Sequence, residues 1–131
     1  MIFDDKFAKE HINRWTKAWN DHDITEILSL YSEDISFRSP KVALLYPDRT
    51  SARISSKRDL EEYFSLGLKK FPKLHFTTCD YFLKDRKVIM EYYGTSDNKI
   101  QWSVIEEFEF NDDGLIEKSS VYYGAEDQLN K

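Results

Sequence analysis

The stretch Trp102-Ser103-Val104-Ile105-Glu106-Glu107-Phe108-Glu109-Phe110, closed by the turn Asn111-Asp112-Asp113-Gly114, decides how this chain folds. Successive side chains of a strand leave on opposite faces. Trp102, Val104, Glu106, Phe108 and Phe110 therefore share one face, and Ser103, Ile105, Glu107 and Glu109 the other. The first face is apolar except for Glu106. A carboxylate buried there charged and alone costs several kcal/mol, so it must be neutralised, paired or put to use. Glu106 is the candidate catalytic residue, with a ligand anchor and a core partner as the other readings.

Working outward, the segments Leu74–Leu83, Val88–Thr95 and Leu115–Gly124 are also β-rich. Short polar turns at 84–87, 96–99 and 111–114 separate them from one another and from Ile100–Phe110. Connections this short force antiparallel neighbours, and the pattern reads as a β-meander. Parity turns Val88, Met90 and Tyr92 inward, and Ser119 joins the candidate lining from the last strand.

The N-terminal half reads differently. From Asp4 to Asn20, Phe7, Ala8, Ile12, Trp15 and Trp19 recur at helical spacing, giving an amphipathic helix with two indoles on its buried stripe. Asp23 followed by Glu26 caps a short second helix whose inner face is Ile24, Ile27, Leu28 and Tyr31, ending near Ser32. Ile35–Pro40 alternates and stops at a proline, as a short edge strand does. The region 41–55, apolar at Val42, Leu44, Leu45 and Tyr46, either covers a cavity mouth or packs against the outside of the core. Ser56 with Asp59 caps a third helix, with Leu60, Tyr63, Phe64, Leu68 and Phe71 inward and Pro72 as its stop. Helices followed by a meander make an α+β fold, with about three helices packed on one face of a curved antiparallel sheet.

The totals bound the function. A chain of 131 residues is one domain, 1–131, able to bury a real core. Aromatics at 15 % suit either a core of large side chains or a concave, aromatic-lined interior. A net charge of −5 argues against nucleic acid, which needs a basic stripe to displace counterions. With no run of 18 apolar residues and no leader, membrane association is not expected and the protein is expected to be soluble and cytoplasmic. A lone cysteine, Cys79, excludes an internal disulfide and reads as structural rather than reactive.

His11, His22 and His75 are scattered, and the four glycines are isolated. Neither a metal site nor a phosphate-cradling loop is expected, and no cofactor follows. Ser39 before Pro40 lacks the setting of a nucleophile elbow. Trp15, Trp19 and Trp102 either stack on a ligand or fill the core.

The segment Trp15-x-x-Ala18-Trp19-Asn20-x-x-Asp23, the Tyr31-x-x-Asp34 pattern and the Asp112-Asp113-Gly114 turn together resemble the nuclear transport factor 2-like superfamily, which includes ketosteroid isomerase and SnoaL-like polyketide cyclases. The resemblance spans Phe7 to Gly124. It implies a cone-shaped, cystatin-like roll with a pocket between helices and sheet, and a homodimer through the outer sheet face. Carried over position by position, it places Trp15 where the isomerase has its oxyanion tyrosine and Ser39 where it has its base. Only Glu106 keeps an acid. An indole offers no acid chemistry near neutral pH, and an unassisted serine cannot take a proton from carbon. Steroid isomerisation by that mechanism is therefore not expected.

The expected site is an internal pocket for a small apolar or aromatic molecule, lined by Trp15, Trp19, Phe37, Ser39, Tyr63, Met90, Val104, Glu106 and Ser119, with Trp102 near its mouth. The alternatives are an isomerase or cyclase using Glu106 as general acid/base, and a protein–protein interaction module. Buried among Trp102, Val104 and Phe108, Glu106 is expected to have a raised pKa.

Overall fold

In the computed structural model, residues 1–46 and 52–124 are described. The elements run α1 (Asp5–Asn20), α2 (Ile24–Ser29), β1 (Tyr31–Arg38), α3 (Pro40–Leu45), β2 (Arg53–Ile54), α4 (Lys57–Lys70), β3 (His75–Lys84), β4 (Lys87–Ser96), β5 (Lys99–Phe110) and β6 (Ile116–Tyr123). The strands form one curved, unclosed sheet in the order β2-β1-β6-β5-β4-β3. Residues 47–51, in the middle of the expected cover over the mouth, lie outside the described residues, as do the side chains of Leu44 and Leu45.

The helix starts follow from local chemistry. Asp4 accepts from Phe7 N at 2.9 Å, Asp23 from Glu26 N at 3.1 Å and Ser56 from Asp59 N at 3.1 Å, each satisfying an amide that the helix itself leaves unpaired. The meander follows equally directly. Turns at Asp85 and at Asp97-Asn98 hold positive φ, which short hairpins need to match strand twist. Gly114, at φ 76°, closes the last turn, where Asn111 bonds the Leu115 carbonyl through its amide.

The region around 30–40 departs from expectation. Helix α2 ends at Ser29, with the Leu30 amide bonded back to Ile27 and Leu28, so Tyr31 opens β1 instead of extending the helix. Nor is β1 an edge: it lies between β2 and β6 and runs parallel to β6, pairing Phe37 with Ser119. A parallel pair cannot be joined by a tight turn, and here the connection runs through most of the chain. Pro40 stops the strand because it begins a helix. It occupies the first turn of α3, where a missing N–H costs nothing, and Ser39 caps that helix by accepting from Lys41 N at 3.3 Å.

The Asn20–Asp23 segment ties α1 to the sheet. Asn20 Oδ1 accepts from Phe76 N at 2.7 Å while its Nδ2 donates to Phe76 O at 3.0 Å, and the His22 ring contacts the Leu74 carbonyl at 2.8 Å. These bonds hold α1 across the start of β3. The core then fills the concave side of the sheet, where Trp15, Tyr31, Ile35, Leu60, Phe108 and Phe110 are all buried. Among the described residues no helix is long and apolar enough to cross a membrane.

Candidate functional site

Parity along β5 holds. Val104, Glu106, Phe108 and Phe110 are buried while Ser103 and Ile105 are exposed. On the neighbouring strand Val88, Met90 and Tyr92 are buried as well, in register with Phe108, Glu106 and Val104. The bend of the sheet leaves these side chains and the helices unable to meet everywhere. A cavity of about 570 Å³ remains between them.

Glu106 borders this cavity at 3 % exposure. Tyr92 donates its hydroxyl proton to Oε1 at 2.6 Å, and Ser119 donates to Oε2 at 2.8 Å. Burial disfavours the charged form and pushes the Glu106 pKa up to about 7, against the two hydroxyls, which favour the anion and lower it. The group therefore exchanges its proton near neutral pH. Among the described residues no cation is bonded to it, and Arg38 is exposed at the end of β1. Tyr92 and Tyr31 are both raised well above the ordinary tyrosine value, chiefly by burial and then by the Glu106 charge.

The aromatic wall is continuous. Trp15 stacks near Phe76 at 5.4 Å between ring centres and meets Tyr92 edge-on at 5.1 Å; Trp19 meets Phe64 edge-on at 4.8 Å. Trp15 Nε1 donates to the Tyr31 hydroxyl at 3.2 Å, so the indole N–H is spent on a neighbouring phenol. Gly94 makes the wall possible: a Cβ there would lie 2.7 Å from Trp102 Cε3 and 3.0 Å from Phe76 Cε1. At the open end, the edge of Phe71 packs on Trp102 at 4.8 Å, and the Lys41 ammonium sits 4.3 Å from the Trp102 ring centre and 4.5 Å from that of Tyr123.

Of the residues expected to line a pocket, Trp15, Trp19, Phe37, Tyr63, Trp102, Val104 and Glu106 border the cavity. Ser39, Met90 and Ser119 do not. Ser39 is fully buried as the cap of α3, 3.5 Å from the Tyr63 hydroxyl, so its oxygen serves the helix start. Met90 lies in register with Glu106 inside the core, and Ser119 stands behind the carboxyl as its hydrogen-bond donor. Sequence reasoning missed Tyr31, Lys41, Lys70 and Tyr123, which also border the cavity. For Tyr31 the signal is mixed: it shares strand parity with the buried Ile35 and Phe37 but also with the exposed Glu33, across an irregularity in the pairing between Tyr31 and Ser36. For the two lysines none existed, because solvated surface and cavity rim look alike in sequence. Among the described residues no group of His, Cys, Asp and Glu is placed to hold a metal ion.

The profile of a SnoaL-like domain matches residues 12–118. The chain belongs to the SnoaL-like family. This SnoaL-like chain is similar to a SnoaL-like protein of unknown function from Burkholderia thailandensis E264, with 26 % identity, a TM-score of 0.85, and coverage of 95 % of this chain and 100 % of that one. A protein with a cystatin-like fold from Methylobium petroleophilum PM1 matches at 13 % identity and TM-score 0.76 over 95 % of this chain and 80 % of that one. A nuclear transport factor 2-like protein of unknown function from Cytophaga hutchinsonii ATCC 33406 matches at 13 % identity and TM-score 0.69 over 95 % of each chain. The latter two speak for the fold alone. No curated protein matches the sequence.

Proposed function

We propose that this SnoaL-like protein binds a small organic molecule with an apolar or aromatic body in the cavity, acting in the cytoplasm. The observation that carries the reading is a buried carboxyl at the wall of an aromatic-lined space of about 570 Å³, a size typical of small-molecule sites. Among the described residues this acid has two hydroxyl partners and no counter-charge, so its burial opposes stability, which supports a role beyond packing. Facing a ligand, the protonated carboxyl is a donor to a carbonyl or ether oxygen and the carboxylate is an acceptor.

A second reading, an isomerase or cyclase with Glu106 as general acid/base, is favoured by the place of the carboxyl at the cavity wall, where burial pushes its pKa up to about 7 and suits a group that must both give and take a proton at neutral pH. Ketosteroid isomerase chemistry is not part of this reading, since Trp15 donates to Tyr31 and Ser39 caps α3. The chain is also proposed to form a homodimer through the outer sheet face, where Phe82, Ile105 and Tyr122 are exposed.

Equilibrium titration with the neutral fluorescent probe N-phenyl-1-naphthylamine tests the binding reading. Saturable binding by the wild type, lost in a folded Val104→Trp variant that fills the cavity, is the expected result. A wild type that binds no probe refutes it. Once a native molecule is in hand, Glu106→Gln divides the two readings. Retained binding with turnover abolished marks an enzyme, whereas altered affinity with no turnover to lose marks a binder.

A further inference from the structure

Of the charged residues that border the cavity among the described residues, Lys41, Lys70 and Glu106, only the carboxyl is buried. The groups around it come from every layer and bring no compensating charge. β4 supplies the Tyr92 hydroxyl to one oxygen, and β6 supplies the Ser119 hydroxyl to the other. Tyr31 of β1 and Tyr63 of α4 border the same space, and burial keeps both phenols neutral: Tyr63 is pushed up to about 12 and Tyr31 is raised well above its ordinary value. Tyr123 of β6 lies under the Lys41 ammonium of α3, and neither Lys41 nor Lys70 of α4 pairs with the carboxyl. From α1 the bordering residues are Trp15 and Trp19, which do not titrate. His11 of α1 packs on Phe108 and Phe110 instead, does not border the cavity, and is lowered to about 3. Two hydroxyls favour the anion without replacing a cation or bulk water. The remaining solvation of the carboxylate comes through the cavity, which at about 570 Å³ has room for water.

Resting on the ligand-cavity reading above, we propose that ligand binding is coupled to uptake of one proton by Glu106: the cavity fills while the carboxyl is neutral and empties as it ionises. A molecule with an apolar body displaces the water beside the carboxyl and offers a negative charge nothing in exchange. The neutral acid loses far less, because it is the form that an apolar surrounding favours. The coupling is reciprocal. A bound ligand makes the carboxyl harder to ionise by the same factor that ionisation weakens binding. Occupancy then follows pH through the neutral range with no movement of the fold, a behaviour that a pocket of aromatic rings alone would lack. Ser119 sets where the transition falls. It does not border the cavity, yet its hydroxyl stabilises the anion, so it is a positioning residue that acts through Glu106.

The test is fluorescence titration with N-phenyl-1-naphthylamine, which is uncharged at every pH used, from pH 5 to pH 9. With a carboxyl that ionises at about 7 in the empty cavity, wild-type affinity should be constant below pH 6 and fall roughly tenfold between pH 6 and pH 8. Glu106→Gln cannot ionise, so its affinity should stay level across that range and exceed that of the wild type at pH 8. Ser119→Ala removes a donor to the anion and should move the fall to higher pH; this variant decides the matter even where Glu106→Gln does not fold. Circular dichroism confirms the folded state of each protein at each pH. Wild-type affinity that ignores pH, a fall that persists in Glu106→Gln, or a fall that Ser119→Ala leaves in place overturns the proton coupling and leaves the cavity reading standing. Failure of the wild type to bind the probe at any pH overturns both.

Discussion

Two buried titratable groups pull the stability of this protein in opposite directions with pH, and removing one exposes the other. Glu106 is raised from 4.5 to about 7 by burial. Between those values the unfolded chain has lost the Glu106 proton while the native chain keeps it. Stability from this group is present below pH 4.5 and falls as pH rises, by about 1.4 kcal/mol per unit and about 3 kcal/mol in all. His11, at 6 % exposure and edge-on to Phe108 and Phe110 at 4.8 Å each, is lowered from 6.5 to about 3, chiefly by burial. Here the unfolded chain binds the proton and the native chain does not. Its contribution is complete above pH 6.5 and is lost on acidification, with a slope of the same size and opposite sign. Between pH 4.5 and 6.5 the two slopes cancel to within the order of magnitude that such shifts allow. In Glu106→Gln the His11 slope stands uncompensated. The stability of the variant minus that of the wild type should rise by about 3 kcal/mol from pH 4.5 to 7.5, since all other groups drop out of the difference. Urea unfolding followed by tryptophan fluorescence at one-unit pH steps measures it. His11→Leu should show the mirror image, gaining on the wild type as pH falls below 6.5. Parallel stability curves for wild type and Glu106→Gln would refute the claim that the carboxyl is buried and reluctant to ionise.

Three other outcomes follow from the geometry. Tyr31→Phe removes the acceptor of the Trp15 indole N–H, leaving a buried donor unpaired, and should cost about 1–3 kcal/mol in the same unfolding assay. Gly94→Ala places a Cβ 2.7 Å from the Trp102 ring and 3.0 Å from that of Phe76. Overpacking of that kind costs about 1–3 kcal/mol, and displacement of both rings should weaken N-phenyl-1-naphthylamine binding, checked by fluorescence titration. On the outer sheet face, Ile105→Glu should convert the proposed dimer to monomer in sedimentation velocity at micromolar concentration without loss of probe binding, because Ile105 points away from the cavity.

Much of the fold is legible in the sequence because it depends on short-range rules. The caps at Asp23 and Ser56 satisfy amides three residues away. The inward set Val88, Met90 and Tyr92 follows from strand parity alone. Reading failed at Ser29–Pro40, where local rules allow two outcomes. Tyr31 fits both a helix face at i, i+3, i+4 spacing and a strand face, and pairing with β6, some 85 residues later in the chain, selects the strand. Ser39-Pro40 fits both a strand end and a helix start, and the chain uses it as both.

The opening stretch shows where the boundary lies. Alternation along residues 102–110 is a property of extended backbone, so the sequence by itself determined that Glu106 shares a face with Val104 and Phe108 and is buried with them. What the carboxyl meets was decided only by tertiary structure: the register of β4 and β6 brings Tyr92 and Ser119 to its two oxygens, and the bend of the sheet leaves space beside it. The open end was decided the same way, since Lys41 and Trp102 come from α3 and β5 and meet only when those elements pack. Side-chain direction is encoded within a few residues; side-chain company is set by contacts between segments far apart in the chain, which hydrophobic burial brings together only in the folded whole.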